Sequence, residues 1–291
     1  MASTSAATAL PPSVSLRPRR PLTSRLADLP WWILFILLAA VFLIYNFVTN
    51  ASYREILGVL SEGVKLTITI TIIAYSFAVV LGLLTGLGQL SKNVLIHNLA
   101  TLYVQIIRGV PIIVQIFYTA FVIVPAAIGG LNALGAWLAQ AGWLGPANPL
   151  VVLNVRDVDF LARGIIALAI SYGAFSSEIF RAGIQSIERG QVEAGGALGL
   201  SRVQALRLVI LPQAIRRVLP PLGNDFIAML KESSLLSVLG VGEITQLGKK
   251  YAAASFQYPE TYNTAAFLYL SMTLVLSMGV RLMERRLKTR T

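Results

Sequence analysis

The chain has 291 residues, of which 56% are hydrophobic and only 13% are charged. Soluble domains usually carry about 25% charged residues, so this composition indicates an integral membrane protein. The absence of cysteine excludes disulfides and thiolate metal sites, and the single histidine, His97, leaves little for metal binding or acid–base catalysis.

The net charge of +11 would suit a nucleic-acid-binding protein, but the basic residues collect beside apolar runs. They precede the first run and follow the last one: Arg17, Arg19, Arg20, Arg25, Arg281, Arg285, Arg286, Lys288 and Arg290. Lys and Arg are enriched in this way on the cytoplasmic side of membrane spans. The pattern predicts that both termini are cytoplasmic and that the surroundings are membrane lipid rather than nucleic acid.

The N-terminal part of the chain divides into a polar tail and an apolar run. Residues 1–30 are rich in Ser, Ala, Pro and Arg without apolar periodicity, which predicts a disordered, basic cytoplasmic tail. The run 31–48 is nearly long enough to span the bilayer. A signal peptide is the alternative, but its apolar part would be unusually long and no A-x-A site follows. We therefore predict that residues 31–60 form an extra transmembrane helix and an external loop.

Five further apolar runs have the length and character of membrane spans. They cover residues 63–87, 99–124, 164–185, a segment that starts at Pro220 and Pro221, and residues 262–283. Gly82 and Gly86, in the first of these runs, have the spacing that lets helix backbones approach closely in lipid. The chain is therefore predicted to be an all-α, polytopic membrane protein with six transmembrane helices and a cytoplasmic loop at 186–216.

The run 99–124 contains the tetrapeptide Arg108-Gly109-Val110-Pro111. Proline removes one backbone hydrogen bond from a helix, and glycine loosens the turn before it. Gly109 and Pro111 are therefore predicted to form a kink or hinge in this span.

Residues 126–163 are rich in Gly, Ala and Pro and are predicted to form an external insertion. Trp137 and Trp143 flank a short apolar stretch within it, as expected of a helix anchored at the membrane interface. Pro146 and Pro149 are expected to end that helix.

The most specific segment is polar and lies between two apolar runs, at residues 193–212, with the sequence EAGGALGLSRVQALRLVILP. Small residues at its start suit close contact with another protein, and Gly199 can adopt a left-handed conformation at little cost. The helical stretch after Ser201 is expected to end at Pro212. An amphipathic helix lying on the membrane is the alternative interpretation.

This segment resembles the cytoplasmic loop of ATP-binding cassette (ABC) importer permeases. The family motif reads Glu-Ala-Ala, three residues, Gly, nine residues, then Ile-x-Leu-Pro. The matching positions are Glu193, Ala194, Gly195 in place of the third alanine, Gly199, Leu211 and Pro212. The resemblance implies that these residues couple the chain to an ATPase through a short coupling helix.

Two further segments are similar to the permeases for polar amino acids. They are the tetrapeptide that ends at Pro111 and the run NDFIAMLKESSLLSVLGVGEI, which begins at Asn224. The resemblance implies a type I ABC importer permease fold over residues 61–291 in a bacterial cytoplasmic (inner) membrane. It also implies a second permease chain, identical or homologous, two nucleotide-binding subunits that bind ATP and Mg, and an external solute-binding protein.

Charged residues inside spans require partners, water or a function, because insertion of each one costs about 2.5 to 3.5 kcal/mol. The candidates for contact with substrate are Ser171, Glu178, Asn224, Asp225, Lys231 and Ser233. The hypothesis is that Glu178 faces the substrate ammonium, and that Asn224, Ser233 or a helix end meets the carboxylate. The alternative for Glu178 is an ion pair with Arg181, three residues further along the helix.

The chain has no G-x-x-x-x-G-K-[ST] element, so it is predicted to lack an ATPase site and a cofactor of its own. A permease for another small polar solute is one alternative. A self-sufficient channel or ion-coupled transporter that uses Asp225, Lys231 and Glu232 as a relay is another. A membrane enzyme is disfavoured, because no catalytic constellation is evident.

Overall fold

The structure is a computed structural model that describes residues 31–143, 145, 148–188, 190–191, 197 and 199–288. The regular elements within these ranges are all helical, which confirms the predicted fold class. The α-helices are α1 (Trp31–Thr49), α2 (Ala51–Gln89), α3 (Val94–Gly109), α4 (Ile112–Tyr118), α5 (Val124–Gln140), α6 (Pro149–Val152), α7 (Phe160–Gln185), α8 (Arg202–Ala205), α9 (Leu211–Glu232), α10 (Ile244–Ser255) and α11 (Tyr258–Lys288). Two π-helical turns, Thr119–Ile123 and Leu206–Ile210, and two 3-10 helices, Val155–Asp157 and Ser233–Leu239, complete them.

Four helical stretches in the described ranges are long and apolar enough to cross a membrane. They are Ala51–Gln89, Ile112–Gln140, Phe160–Gln185 and Tyr258–Leu287. Helix α1 is apolar but shorter. Helix α9 has 22 residues, but several of them are charged. The membrane region is therefore built from strongly apolar helices together with one helix that carries polar side chains.

The chain divides into two compact units, Met1–Ile44 and Tyr45–Thr291. The described part of the first unit is the beginning of α1, whose apolar side chains are exposed along its length, with Phe35 at 74% and Leu38 at 60%. Exposure of this kind is expected of a helix whose solvent is lipid.

Helices α2 and α7 pack backbone to backbone at the two glycines that the sequence singled out. A Cβ atom on Gly82 would lie 2.7 Å from the Cβ of Ser176, and one on Gly86 would lie 2.8 Å from the carbonyl oxygen of Ser177. No side chain fits at these distances. The small-residue spacing therefore allows the close contact between α2 and α7.

The core of the second unit lies where α2, α4, α7 and α9 meet. Ile70, Ala74, Leu168 and Met229 are fully buried there. Leu236, from the 3-10 helix after α9, closes the same cluster. These apolar contacts hold α9 against α7, and the polar side chains of α9 are positioned by that packing.

The structure differs from the sequence prediction in the third span. Helix α3 ends at Gly109, and after a break at Val110 and Pro111 the helical stretch Ile112–Gln140 continues well beyond residue 124. The Gly- and Ala-rich composition after residue 126 was interpreted as a loop. Alanine, however, is the best helix former. Glycine is also more frequent in transmembrane helices than in helices of soluble proteins, so this composition is compatible with a helix.

The interpretation of three prolines is also corrected. Pro220 and Pro221 lie inside α9 rather than in its first turn, and Pro212 lies in the first turn of α9 rather than ending the helix before it. Pro212 has no N–H to donate to the preceding turn, but the helix continues through it. The π-helical turn Leu206–Ile210 leads directly into α9, so loop and span form one continuous helical path.

Arg163, at the start of α7, links the segment before α7 to the π-helical turn Thr119–Ile123 through hydrogen bonds. Its guanidinium donates hydrogen bonds to the carbonyl oxygens of Ala120, at 3.0 Å, Val158, at 2.8 Å, and Val155. The side chain is buried and its charge lies 5.0 Å from the ring centroid of Phe160. A π-helical turn displaces backbone carbonyls from the regular ladder, and Arg163 supplies the donor for one of them.

Candidate substrate path and coupling loop

Helix α9 carries a stripe of polar side chains that are exposed in the described chain. Arg217, Asn224 and Lys231 stand at seven-residue intervals, so they lie on one face of the helix, and all three are exposed. The stripe covers about 21 Å along the helix axis and begins close to the loop 186–216. Such side chains cannot face hydrocarbon without a large cost, so this face must meet water or another protein.

The neighbouring face of α9 is polar as well, but it packs against protein. Ser176 of α7 donates a 2.9 Å hydrogen bond from its hydroxyl to Oδ2 of Asp225. Tyr75 of α2 donates from its hydroxyl to the carbonyl oxygen of Leu222, at 2.6 Å, and packs edge to face against Phe226. Asp225 is thus held at the junction of three helices. Ser176 was not among the residues that the sequence singled out.

A cavity of about 550 Å³ lies where α9 ends, beside the break between α3 and α4. Lys231 and Glu232 line it together with apolar groups of Pro111, Ile112 and Leu235. The Oε2 atom of Glu232 is buried and has no hydrogen-bond partner among the described residues. The cavity therefore combines one carboxylate, one ammonium and an apolar wall.

The break next to this cavity is stabilised by a single amide side chain. Gln115 donates from Nε2 to the carbonyl oxygens of Ile107, at 2.7 Å, and Val110, at 2.6 Å. Its Oε1 accepts a 2.6 Å hydrogen bond from the hydroxyl of Ser171 on α7. Gly109 ends α3 and Pro111 begins α4 at this point. The predicted hinge residues therefore separate two helices, and Ser171 helps to fix the geometry between them.

Glu178 is surrounded by protein donors. Arg181 binds its two oxygens at 2.6 and 3.3 Å, and Gln89 of α2 donates to Oε1 at 3.1 Å. Arg108 of α3 adds an ion pair at 3.7 Å. This arrangement corresponds to the ion-pair alternative and links α2, α3 and α7. Contact between Glu178 and a substrate stays a prediction, and it would require the carboxylate to leave these partners.

Ser233 is fully buried, and its hydroxyl donates to the carbonyl oxygen of Leu230 at 2.8 Å. In this state it caps the end of α9 rather than facing the cavity. Of the six predicted substrate residues, only Lys231 lines the cavity beside Pro111. Asn224 lines a second cavity of about 450 Å³ along the N-terminal half of α9, with Arg216, Arg217 and Glu284.

The loop 186–216, which is predicted to couple the chain to an ATPase, is described only in part. Glu193, Ala194 and Gly195 lie outside the described residues. Gly199 has φ of +78°, which confirms the left-handed conformation that the sequence predicted. Leu211 begins α9 and is 48% exposed, and Pro212 follows it in the first turn.

A capping box that the sequence analysis missed begins the helix after Gly199. The Ser201 backbone N–H donates to the Gln204 side chain at 2.8 Å, and the Gln204 N–H donates back to the Ser201 hydroxyl at 3.3 Å. The S-x-x-Q pattern is the signal that would have revealed it. Arg217 of α9 donates to the carbonyl oxygen of Ser186, so the two ends of the loop are tied together.

Several apolar side chains in the described part of the loop are exposed, among them Val203, Leu208 and Leu211, at 73%, 63% and 48%. In a polar segment such a group of side chains indicates contact with another protein. No group of His, Asp or Glu side chains in the described ranges is arranged to hold a metal ion.

Comparisons with known proteins agree with this architecture. Residues 78–290 match the family described as binding-protein-dependent transport system inner membrane component. The chain is 36% identical over 229 residues to the glutamine transport system permease protein GlnP of Escherichia coli (strain K12), covering 79% of this chain and 93% of GlnP. It is 34% identical over 230 residues to the L-cystine permease TcyB of Bacillus subtilis (strain 168), covering 79% and 86%.

Two solved structures share the fold. One is the crystal structure of an amino acid ABC transporter with histidines, at 34% identity and a TM-score of 0.64, covering 82% of this chain and 98% of that one. The other is the inward-facing MetNI methionine ABC transporter, at 20% identity and a TM-score of 0.58, covering 79% and 96%; at this identity it bears on the fold alone. The matched family covers the helices that form the polar path, the hinge and the coupling loop. The chain therefore belongs to the family of inner membrane components of binding-protein-dependent transport systems.

Proposed function

We propose that the chain is the membrane-spanning permease subunit of an ABC importer that carries an amino acid into the cell. The observation that supports this most strongly is the exposed stripe Arg217, Asn224 and Lys231 on a helix of the matched family region. A charged solute loses its hydrogen bonds with water when it enters the membrane, and a polar helix face can replace them. The substrate class is supported by relatives whose names specify glutamine and L-cystine, and by the structure of an amino acid transporter with histidines.

Within this proposal the path runs along α9. Asn224 and Lys231 face it directly, and Asp225 stands on the adjacent face. Ser171, Ser233 and Glu178 are bonded to protein groups in this state, so their predicted contact with substrate requires a rearrangement of the helices around Pro111.

The energy is proposed to come from separate nucleotide-binding subunits that bind ATP and Mg, because the chain has no phosphate-binding loop. The loop 186–216, with Glu193, Ala194 and Gly195, would dock on these subunits. The exposed apolar side chains Val203, Leu208 and Leu211 support this assignment. A second permease chain and an external solute-binding protein complete the proposed assembly, with both termini in the cytoplasm.

The direction of force also has a structural basis. The loop joins α7 to α9, and the hydrogen bond from Arg217 to Ser186 ties the two helices where they enter it. On α7, Glu178 pairs with Arg108, which directly precedes the break at Gly109 to Pro111. Closure of the ATPase subunits would thus move the loop, the α7–α9 pair and the wall of the cavity together.

The test is uptake into proteoliposomes that contain the chain with nucleotide-binding subunits of its own transport system. We expect a labelled amino acid to be taken up only when ATP is supplied to the nucleotide-binding subunits. Uptake should stop when those subunits are omitted. Uptake by the chain alone, driven by a proton gradient, would instead establish the ion-coupled transporter. Uptake that requires ATP but accepts only a solute without an amino acid backbone would establish the other alternative.

A further inference from the structure

We infer that Glu232 and Lys231 form a clamp for the charged backbone of the substrate, with the ammonium at Glu232 and the carboxylate at Lys231. The inference rests on the proposed function and deepens it, because it assigns the two backbone charges of an amino acid to two side chains. It also places the ammonium at Glu232 rather than at Glu178.

The first observation is the unpartnered oxygen of Glu232. Its Oε2 atom is buried without a hydrogen-bond donor, and no described cation pairs with the carboxylate. Tyr172 of α7 interacts with Glu232, but a hydroxyl is neutral and cannot balance a charge. The residue is half-buried and its carboxylate accepts a hydrogen bond from the Tyr172 hydroxyl, so what it lacks is a positive charge. Glu232 is also one of the residues that line the cavity, so a cation that enters the cavity can reach its carboxylate group.

The second observation is that Lys231 lines the same cavity and is exposed. Consecutive residues project about 100° apart around a helix, so the two side chains diverge. No ion pair joins them within the described structure. Two opposite charges that face one space without neutralising each other suit a zwitterion, whose ammonium and carboxylate are separated by a single carbon atom.

The remaining walls explain how the substrate side chain is accommodated. Ile112, Ile113 and Leu235 give the cavity an apolar surface, and its volume of about 550 Å³ is ample for an amino acid. Specific sites commonly combine such a wall with a few placed polar groups. Pro111 contributes to the wall and belongs to the helix break. Movement at the break would therefore open or close the clamp.

Glu178 is a poorer partner for the ammonium in this structure. Two arginines and Gln89 already surround its carboxylate. A substrate cation would have to displace a guanidinium that binds at 2.6 Å. Glu232 offers an oxygen that no described group occupies.

The experiment measures binding to the full-length chain in lipid nanodiscs. Each of the twenty L-amino acids is screened singly by thermal shift, and the best ligand is compared with its decarboxylated amine and its deaminated acid. For histidine these analogues are histamine and imidazolepropionate; for glutamine they are 4-aminobutanamide and 4-carbamoylbutanoate. The variants are Glu232→Gln and Lys231→Gln, with Glu62→Gln and Lys250→Gln as exposed charge controls.

The clamp predicts a selective pattern. Glu232→Gln should weaken binding of the amino acid and of the amine roughly 10- to 100-fold, and leave binding of the acid unchanged. Lys231→Gln should weaken binding of the amino acid and of the acid by a similar factor, and leave binding of the amine unchanged. The two control variants should bind all three ligands like the unmodified chain.

Three results would overturn the clamp, and they separate it from the proposed function. If the unmodified chain binds no amino acid, the clamp is wrong, and the proposed function is decided by the uptake experiment on the assembly. If it binds one and neither variant changes the affinity, the clamp is wrong and the proposed function stands. If Glu232→Gln weakens all three ligands equally, the residue has a structural role, for example against a second permease chain.

Discussion

The hydroxyl of Ser171 donates a 2.6 Å hydrogen bond to the side-chain oxygen of Gln115, whose amide nitrogen holds the two carbonyls at the break between α3 and α4. A residue of α7 thereby sets the geometry of the segment that borders the cavity. The break is consequently an ordered element, stabilised by hydrogen bonds that can be removed one at a time.

Substitution Gln115→Leu should destabilise the chain. It leaves the carbonyls of Ile107 and Val110 without their side-chain donor, and each buried unsatisfied group costs about 1 to 3 kcal/mol. Thermal unfolding in nanodiscs measures the effect. Gln140→Leu, at an exposed helix end, is the matched control, and equal melting temperatures for the two variants would contradict the assigned role.

Substitution Gly82→Leu should prevent close packing of α2 and α7, because even a Cβ atom would lie 2.7 Å from Ser176. Overpacking of this kind typically costs about 1 to 3 kcal/mol. Gly58 is the control, since a Cβ there meets nothing within 4 Å, and Gly58→Leu in the same helix should be tolerated. A loss of folded protein for Gly58→Leu alone would show that the helix pairing is wrong.

Removal of the Arg163 side chain should loosen the segment between α5 and α7. Arg163→Leu deletes three hydrogen bonds from a charged group to carbonyl oxygens, each of which contributes about 1.5 to 3 kcal/mol. Limited proteolysis of the chain in nanodiscs, where both membrane faces are accessible, should then cleave near Val155 at least several times faster. The comparison is Arg156→Leu, an exposed arginine in the same segment, which should leave the cleavage rate unchanged.

Glu178→Gln should weaken the ion-pair cluster without changing substrate affinity. The amide keeps the size of the side chain and removes the charge that Arg181 and Arg108 bind. A double-mutant cycle with Arg181→Gln, read by thermal unfolding, should show a coupling of about 1 kcal/mol. A selective loss of binding of the amine analogue would instead support the alternative in which Glu178 meets the substrate ammonium.

The left-handed conformation of Gly199 gives a test of the coupling loop. Gly199→Val places a β-branched side chain at φ of +78°, where no steric neighbour is present but the backbone itself is strained. We expect ATP-driven uptake to fall several-fold, whereas Gly199→Asn should retain most of it because asparagine tolerates this region. Equal loss with both variants would assign the effect to the side chain and not to the backbone.

Much of the helix inventory was accessible from the sequence because lipid imposes length and apolar composition on a spanning helix. The spacing of Gly82 and Gly86 identified a close helix contact, and the seven-residue spacing of Asn224 and Lys231 identified the polar face of α9. The left-handed Gly199 followed from the same local reasoning. These features depend on neighbours along one helix or turn.

The features that the sequence did not reveal depend on contacts between distant segments. Gln115 acts on a break that lies before it and accepts from Ser171 on another helix. Arg163 donates to the carbonyl oxygen of Ala120 in the π-helical turn, which lies 43 residues before it in the sequence. Pro220 and Pro221 were interpreted as a helix start, but α9 includes them because the preceding loop is already helical.

The central claim is that the stripe on α9 faces an aqueous path through the membrane. The chain has no cysteine, so each of the variants Asn224→Cys, Lys231→Cys, Met229→Cys and Leu230→Cys carries a single thiol. A membrane-impermeant maleimide, applied to vesicles that expose the cytoplasmic side, should label the first two variants, and the transported amino acid should slow the labelling at position 231. Labelling of Asn224→Cys and Lys231→Cys no faster than of the buried Met229→Cys and Leu230→Cys would contradict the account.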